Sequence, residues 1–569
     1  MTTTLFRPVG LKELELIAQS GWTSFPPRLP EQPIFYPVLN FEYAQRVARE
    51  WNTKCDSFCG FVSAFDVETE FLKRYEVQVV GNSTLQELWV PAEELDEFNA
   101  HIVGEIRIEA SYYGESFEGE KDEKTNLPSH IATSYLSYHL LKMTNLQVHS
   151  RLSTPNGVLD MQRHKHQLSN GLTLIGEHSD NARSVAAGFF VKTGARDETE
   201  EINGVSHFLE HMMFKGTSRR TPEDVNREFD EMGARYNAFT SEENTVYYGN
   251  VLPRFQNRIL DLLSDMMRPA LRDEDFEMEK NVILEEIAMY QDRPQFSVFE
   301  LARETYFGNH ALGASILGSS DSIKNLQRDQ MHEYFARRYA ANNLTFVMTG
   351  DYDWDEAVGQ IENLCGNWNT AQVPRESSTH SPEKQIKVQR NDKFNRAHLA
   401  MLAPGYAMQD PKRYAAAVAC EAIGAGDGSR LYWSLVHPGI AEAAQIGHEG
   451  NDGDGTFYGY ILADPTRAQE SLDVFQAVVG EACAQGLKSE EVERAKRRMA
   501  SSTVLGAETP MGRLRAVGFD WMYRGEEKSA DDSLKLLLDV SLNDVNRVLE
   551  ERPFERAAVV AIGPLDELN

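Results

Sequence analysis

The chain has 569 residues, more than one hydrophobic core supports, so its length predicts several domains. Asp and Glu number 87 against 57 Lys and Arg, a formal net charge of -30, and so acidic a surface argues against nucleic acid as a partner. The N-terminus has no basic region leading into an apolar run, and no segment approaches 18 consecutive apolar residues. We therefore expect a cytoplasmic protein without a membrane span.

The cysteines are few and odd in number: Cys55, Cys59, Cys365, Cys420 and Cys483. This set favours reduced thiols in a cytoplasm over a disulfide framework. Cys55 and Cys59 form a single CxxxC with no second pair, so a structural zinc at this position is not favoured.

Residues 1–112 predict a small α+β domain of their own. Strand-like runs (YEVQVV, QELWVP) alternate there with polar helical sequence (PAEELDEFNAHI). Charged, Gly- and Pro-containing sequence then predicts a linker over residues 113–160, with a short helix at IATSYLSYHLLKM. The front domain contains no catalytic constellation. One hypothesis is that it binds a small molecule or a protein and targets the rest of the chain to it.

Residues 161–375 predict a domain of alternating strands and helices, opened by a β-hairpin with an Asn170-Gly171 turn. The predicted strands are SVAAGFFVKTG, the pair within RYNAFTSEENTVYYGNV, and NLTFVMTGDYD. The predicted helices are GVSHFLEHMMFKGT, PEDVNREFDEMG, FEMEKNVILEEIAMYQD and RDQMHEYFARRYA.

Residues 376–386 predict a hinge. Residues 387–569 repeat the order of elements without a metal-ligand cluster of their own: the predicted strands are RAHLAMLAPG, GTFYGYILADP and RAAVVAIGP, and the predicted helices include KRYAAAVACEAIGAG and SRLYWSLVH. Within this half NDGDGTF is similar to part of a calcium loop, but Ala463 stands where the closing Glu would fall, so a hairpin turn is preferred. The predicted fold class is α+β: two structurally similar halves preceded by a small separate α+β domain.

The helix at GVSHFLEHMMFKGT carries the chemistry. His207, Glu210 and His211 are spaced i, i+3 and i+4, which places them on one helical face. Two imidazoles one turn apart suit a zinc ion, and the intervening carboxylate can take a proton from bound water. A solvated helix face is the alternative. Because the neighbouring residues are apolar nearly all round, however, these groups would be buried and would need partners.

A third ligand is available downstream. Glu279 and Glu286 are seven residues apart on one helix, which suits one ligand and one carboxylate that orients a ligand. Periodicity alone does not choose between Glu285 and Glu286. Two histidines and a glutamate favour zinc over manganese or cobalt without excluding them.

HFLEHMMFKGT, with LSNGLTLI and TGARDE before it and MGARYNAFTSEENTVYY and EKNVILEEI after it, resembles the pitrilysin and mitochondrial-processing-peptidase family of inverted-motif zinc metallopeptidases. The resemblance covers about residues 161–569. It implies that His207, His211 and Glu286 bind one Zn²⁺ per chain, that Glu210 is the general base, and that Glu279 is the carboxylate that supports Glu286.

The same resemblance implies a clamshell of two halves, closed by a second identical or homologous chain, that admits peptides and unfolded segments. It also implies an edge strand beside the metal, on which Asn237, Ala238 and Phe239 contact substrate by strand addition. Ordinary strand packing is the alternative for these three residues.

One position pair departs from the family pattern. Many active relatives carry, in the second half, an Arg and, seven residues later, a Tyr that reach the substrate carbonyl. Here these positions hold Leu435 and Glu442. Loss of such a donor costs on the order of 10²-fold in rate or more.

We therefore predict a zinc-dependent endopeptidase that hydrolyses peptides by metal-activated water, with Glu210 as base. The alternative is a non-catalytic or weakly active member that serves as a peptide-binding or assembly subunit for an active homologue. FRPVGLKELELI, PPRLPEQPIFYPVLN and QELWVPAEELDEFN, in the front domain, resemble a small bacterial domain of unknown function, sometimes labelled in ADP-ribosylation or crystallin terms. That resemblance implies no site residues.

Overall fold

A computed structural model of the protein describes residues 2–28, 33–54, 57–80, 86–114, 116, 117, 119–122, 125–132, 161–375, 380, 383–526 and 528–568. The chain divides into two compact units, Met1–Thr154 and Pro155–Asn569. Cys55 and all but two residues of the helix predicted at IATSYLSYHLLKM lie outside the described residues. The other four cysteines are free thiols.

The first unit is a small α+β fold around a three-stranded antiparallel sheet with the order β1-β3-β7. Its strands are β1 (Thr2–Gly10), β2 (Ile34–Phe35), β3 (Cys59–Glu68), β4 (Val77–Val79), β5 (Gln86–Leu88), β6 (Val90–Pro91) and β7 (Ile102–Tyr113). Its helices are α1 (Leu11–Gln19), α2 (Phe41–Glu50), α3 (Thr69–Leu72) and α4 (Leu95–Ala100). Aromatic side chains such as Phe35, Phe65 and Phe98 fill its core. Leu127 and Ile131, in sequence predicted to be linker, are buried against the same core.

The first half of the second unit is a six-stranded sheet with helices. Its strands are β8 (Gln162–Gln167), β9 (Thr173–His178), β10 (Val185–Val191), β11 (Arg235–Thr240), β12 (Thr245–Val251) and β13 (Leu344–Gly350). Its helices are α5 (Val205–Met212), α6 (Pro222–Met232), α7 (Gln256–Met266), α8 (Asp273–Gln291), α9 (Pro294–Phe307), α10 (Ser320–Asn325), α11 (Arg328–Arg338) and α12 (Trp354–Cys365).

The second half is built on a five-stranded sheet. Its strands are β14 (Gln385–Arg390), β15 (Ala397–Pro404), β16 (Ala443–Gly450), β17 (Gly455–Ala463) and β18 (Ala558–Gly563). Its helices are α13 (Lys412–Gly424), α14 (Ala468–Gln485), α15 (Ser489–Ala507), α16 (Pro510–Arg524), α17 (Ala530–Leu538) and α18 (Leu542–Glu550). β14 begins inside the predicted hinge, whose last two residues are therefore strand.

The five strands of the second sheet follow the same order as five strands of the first, which has β8 as an additional edge strand, and this confirms the predicted structural repeat. The first reads β11-β12-β10-β13-β9-β8 and the second β16-β17-β15-β18-β14. In each, the last strand in sequence pairs in parallel with the strand beside it, β13 with β9 and β18 with β14. The hairpin predicted at NDGDGTF is the antiparallel β16-β17 pair.

One predicted element differs in type. SRLYWSLVH was expected to be an ordinary helix, but Tyr432–Val436 forms a short π-helix. Its widened turn carries Leu435 into the core of the second half, where that side chain is fully buried.

Each sheet is covered on one face by a helix of the other half. Helix α16 packs on the first sheet, where Leu514 and Val517 join Phe190 in one apolar cluster. Helix α9 packs on the second sheet, where Val298 and Ala302 lie in a cluster with strand residues of β15 and β18. The two halves therefore share buried apolar surface. Within the described ranges, no helix combines the length and apolar character needed to cross a bilayer.

Candidate metal centre

Two features fix the first turn of helix α5: a glycine with positive φ just before it and a carboxylate that accepts hydrogen bonds from its N–H groups. It begins after Gly204, which has φ of 94°, and a Cβ at this position would lie 2.6 Å from the carbonyl oxygen of Leu317. The side chain of Glu198 accepts hydrogen bonds from the N–H groups of Gly204 and Ser206, at 2.6 and 2.7 Å. An anion at this end complements the helix dipole and satisfies otherwise unpaired donors.

The structure brings together His207, His211 and Glu286, and one ligand atom from each lies within 4.8 Å of the others. Nε2 of His211 is 3.5 Å from Oε2 of Glu286, and Nε2 of His207 is 3.8 Å from the same oxygen. Ligands of a tetrahedral zinc about 2.0–2.1 Å away are about 3.3 Å apart, so the spacing fits such an ion. Among the described residues, no other group of His, Cys, Asp and Glu converges in this way.

Glu279 orients the second histidine. Its Oε1 is 2.8 Å from Nδ1 of His211, and its Oε2 is 2.5 Å from Nζ of Lys215. This contact directs Nε2 of His211 toward Glu286, as in the carboxylate-histidine pairs that orient metal ligands. Glu285 lies on the exposed face of α8, so the geometry separates it from Glu286 where periodicity did not.

The surroundings of the two histidines shift their pKa values in opposite directions. Burial, and then the neighbouring His211, lower the pKa of His207 to about 3, which leaves a neutral ring. Burial alone would lower the pKa of His211, but the hydrogen bond and charge of Glu279 outweigh it and raise that pKa. A neutral imidazole with a free Nε2 is the form that binds zinc.

Glu210 lies on the same helix face as the two histidines. Its Oε2 accepts a hydrogen bond of 2.7 Å from Oγ1 of Thr240, at the end of β11. Burial raises the pKa of Glu210, and the Thr240 hydrogen bond partly offsets this. Neither Thr240 nor Glu198 stands out by residue type or spacing, although both lie in the motifs that carry the family resemblance.

Strand β11, with the predicted substrate contacts, is the edge strand of the first sheet, and among the described residues its strand partner is β12 alone. The side chain of Asn237 is exposed, whereas Ala238 is buried in the core beneath α5. Phe239 packs on the other side of the sheet, 6.2 Å from the ring of Phe519. A substrate strand would therefore meet the backbone of β11 rather than the side chains of Ala238 and Phe239.

Leu435 and Glu442 contribute no donor near the site. Leu435 is fully buried in the core of the second half. Glu442 is half exposed and forms an ion pair with Arg396. A leucine and a glutamate carry neither a cation nor a hydroxyl group, so these two side chains cannot replace the expected Arg and Tyr.

Comparison with known proteins agrees with this architecture. The profile described as insulinase, peptidase family M16, matches residues 173–320, and the profile of the peptidase M16 inactive domain matches residues 325–499. The uncharacterized zinc protease YmxG of Bacillus subtilis is 30% identical over 403 residues, covering 70% of this chain and 98% of the relative.

Two further similar proteins match over most of their own length and most of this chain. Mitochondrial-processing peptidase subunit beta of Neurospora crassa is 26% identical over 435 residues, 73% of this chain and 91% of the relative. The crystal structure of a protease from Helicobacter pylori shares the fold with a TM-score of 0.67 at 18% identity, over 71% of this chain and 99% of that one.

The repeated fold and the two profile matches define the class of protein as one built of two M16-type halves, the first of which carries the His-His-Glu group found among the described residues. Within that class, the chain belongs to peptidase family M16. At the level of the family, it stands among proteins named as zinc proteases and processing peptidases.

Proposed function

We propose that the protein is a zinc-dependent endopeptidase that hydrolyses peptides or unfolded polypeptide segments. One observation carries the proposal: two helices bring His207, His211 and Glu286 together beside the partly buried Glu210. Fold stability alone does not require this set, because four ionisable groups in one largely buried cluster cost free energy unless something pairs them.

His207, His211 and Glu286 would hold one zinc ion per chain. Bound zinc would polarise the scissile carbonyl and lower the pKa of a coordinated water to about 7. Glu210 takes the proton from the attacking water and later donates it to the leaving amine. Thr240 fixes the Glu210 carboxylate for both transfers.

Substrate would bind along β11 in extended form. An edge strand leaves backbone N–H and C=O groups unpaired on one side, and a peptide strand pairs with them. This mode suits unfolded segments, since a folded substrate has no free strand to add. The roles of Asn237, Ala238 and Phe239 in this proposal are mainly those of their backbone groups.

A second chain is part of the proposal. Leu435 and Glu442 leave this chain without the Arg and Tyr that relatives use at the substrate carbonyl. A relative, subunit beta of mitochondrial-processing peptidase, is by its name one subunit of a larger enzyme. We infer a homodimer or a heterodimer with a homologous chain, the heterodimer being the form that could supply the missing donor.

The missing donor also favours the alternative, a weakly active or non-catalytic subunit that binds peptides for an active homologue. The two candidates differ in what the isolated chain does. An endopeptidase binds zinc and cleaves peptides, whereas an assembly subunit binds peptides with little or no turnover even when zinc is present.

The test is metal content by elemental analysis together with cleavage of a mixed peptide library, with and without chelator. We expect about one zinc per chain, strong loss of zinc in Glu286→Gln, and retained zinc but at least 10²-fold slower cleavage in Glu210→Gln. Glu285→Gln, on the exposed face of the same helix, is the matched control and should change neither. Zinc without cleavage by the isolated chain would indicate a missing partner chain, as the assembly subunit or the heterodimer requires, and no zinc would refute the zinc-dependent endopeptidase.

A further inference from the structure

Residues 193–198, TGARDE in the sequence, connect strand β10 to the histidine helix α5. They contain a single 3-10 turn, Ala195–Asp197, that lies against the hairpin turn between β11 and β12. Gly194 allows this approach, because a Cβ there would lie 2.2 Å from the carbonyl oxygen of Ser241. We call residues 193–198 the junction segment.

Asp197 links the junction segment to the second half indirectly, through Arg375. This buried carboxylate accepts hydrogen bonds from Nε and Nη2 of Arg375, at 3.1 and 2.7 Å, and one of 2.9 Å from Arg338. Arg375 also donates to the carbonyl of Glu243 at 2.6 Å and lies 3.4 Å from the carboxylate of Asp452. Asp452 belongs to the β16-β17 turn, so Arg375 links the segment to the second half.

Arg196 makes a second connection to the same turn. It donates to Oε1 of Glu243 at 2.5 Å and to the carbonyl oxygen of Asp452 at 2.7 Å. Glu243 in turn accepts the N–H of Asp452 at 3.0 and 3.1 Å. Arg196 and Glu243 are both buried, so losing one partner would leave a charge away from water.

The next residue of the junction segment, Glu198, binds the metal helix. Its carboxylate accepts from the N–H groups of Gly204 and Ser206 and from the side chain of Asn203. Ser206 directly precedes His207. The carboxylate that is linked to the second half through Arg375 and the carboxylate that holds the first turn of α5 therefore belong to adjacent residues, Asp197 and Glu198.

We propose that Asp197 is a positioning residue for the metal site. Arg375 binds Asp197 and contacts Asp452 of the second half, so the position of the second half affects Asp197, the adjacent Glu198 and, through Glu198, helix α5. The inference deepens the proposed function and rests on it only for its effect on zinc. Displacement of Asp197 shifts Glu198, which loosens the first turn of α5 and with it the placement of His207.

The experiment compares Asp197→Asn with Glu177→Gln in the full chain. Glu177 is a matched control because it forms a buried two-pronged ion pair with Arg513, which also joins the two halves but does not contact α5. Two properties are measured well below the unfolding temperature: hydrogen exchange of the amides of residues 205–212, and zinc affinity by competition with a chelator.

Asp197→Asn should speed exchange in α5 at least tenfold and weaken zinc binding about 10–100-fold, the usual effect of removing support behind a ligand. Glu177→Gln should leave both near wild type, and Asp197→Glu should restore part of the loss. Equal changes in the Asn and Gln variants, or unchanged exchange in both, would overturn the proposal.

Should Asp197→Asn fail to fold, Arg375→Lys gives a milder test, because it keeps the charge and loses the two-pronged contact. It should produce smaller changes in the same direction, and unchanged exchange would again overturn the proposal. Hydrogen exchange is measured on wild type and variants that have all been stripped of metal with a chelator, so this readout does not require zinc. A wild-type chain without zinc would therefore refute the proposed function, while the exchange data would still decide the role of Asp197.

Discussion

At the residue scale, the contact between Glu279 and His211 tests whether the site is built to orient a ligand. We expect Glu279→Gln to weaken zinc binding about 10–100-fold, because the amide aligns the ring less well and leaves Lys215 without its carboxylate. Competition with a chelator measures this. Glu277→Gln, exposed on the same helix, is the control. Equal affinities in both variants would show that Glu279 serves stability alone.

Residue spacing predicts most of the candidate site. The choice that spacing leaves open, between Glu285 and Glu286, depends on how helix α8 packs. Helical periodicity identifies His207, Glu210 and His211, but it cannot distinguish Glu285 from Glu286, which differ by one step of rotation. That rotation is set by Ile283 and Ile287, which pack into the core of the first half. Packing between helices is not visible in a one-dimensional pattern.

A buried histidine in the second half predicts an acid-sensitive contribution to stability. Burial, and then the charge of Arg413, lower the pKa of His448 to about 4, and its Nε2 accepts the N–H of Tyr406 at 3.0 Å. Because the folded pKa lies below the unfolded value of about 6.5, the neutral ring stabilises the fold above pH 6.5. This contribution is lost as the pH falls toward 4.

We expect the wild type to lose about 1–2 kcal/mol more unfolding free energy than His448→Gln between pH 7.5 and pH 5. Gln keeps an acceptor for the Tyr406 N–H and does not titrate. Denaturant unfolding of both proteins at the two pH values measures the difference. Parallel pH dependence of wild type and variant would contradict the assignment.

At the scale of elements, the exposed edge of β11 predicts how substrate is held. If peptides add as a strand, backbone hydrogen bonds provide the affinity, and alternate residues of the peptide make them. N-methylation of a single peptide amide that faces β11 should raise KM at least tenfold, whereas methylation of the next amide should change it little. Steady-state kinetics on a set of methylated peptides measures this.

The variant Asn237→Ala separates backbone from side-chain recognition. Asn237 is the exposed member of the three predicted contacts, so its truncation should change KM by less than about threefold if the backbone carries binding. A large rise in KM for Asn237→Ala, with no alternation along the methylated peptides, would instead indicate recognition through side chains.

Elements with strong periodicity were predictable, and elements defined by tertiary context were not. β10 and α5 appear where apolar runs and helical spacing predict them. The hairpin turn predicted at NDGDGTF implies a strand before it, but the extent of β16 was not predicted, because its Gly, Gln and Glu residues mask its alternation, and the π-helix was predicted as an ordinary helix. The wider turn of the π-helix, which carries Leu435 into the core, depends on tertiary packing, and local helix propensity does not encode it.

At the scale of the whole molecule, each half of the second unit provides a helix that covers one face of the other half's sheet. The repeated order of elements was visible in the sequence, but the exchange of covering helices was not. Helix α9 looks like any amphipathic helix of the first half, yet Val298, Ala302 and Tyr306 pack on the sheet of the second half. Helix α16 does the reverse through Leu514 and Val517. Without its partner, each half would expose an apolar sheet face and an apolar helix face.

The exchange of helices predicts that the halves stay together without a covalent connection. A protease site engineered at residues 376–379 would allow the chain to be cut between β13 and β15. We expect the two pieces to co-elute at micromolar concentration on native size exclusion and to unfold in one transition, because separation would expose both apolar clusters to water. Leu514→Asp, which places a charge in the α16 cluster, is the control and should let the cut pieces separate. Free separation of the unmutated pieces would show that the connection, not the exchanged helices, holds the halves together.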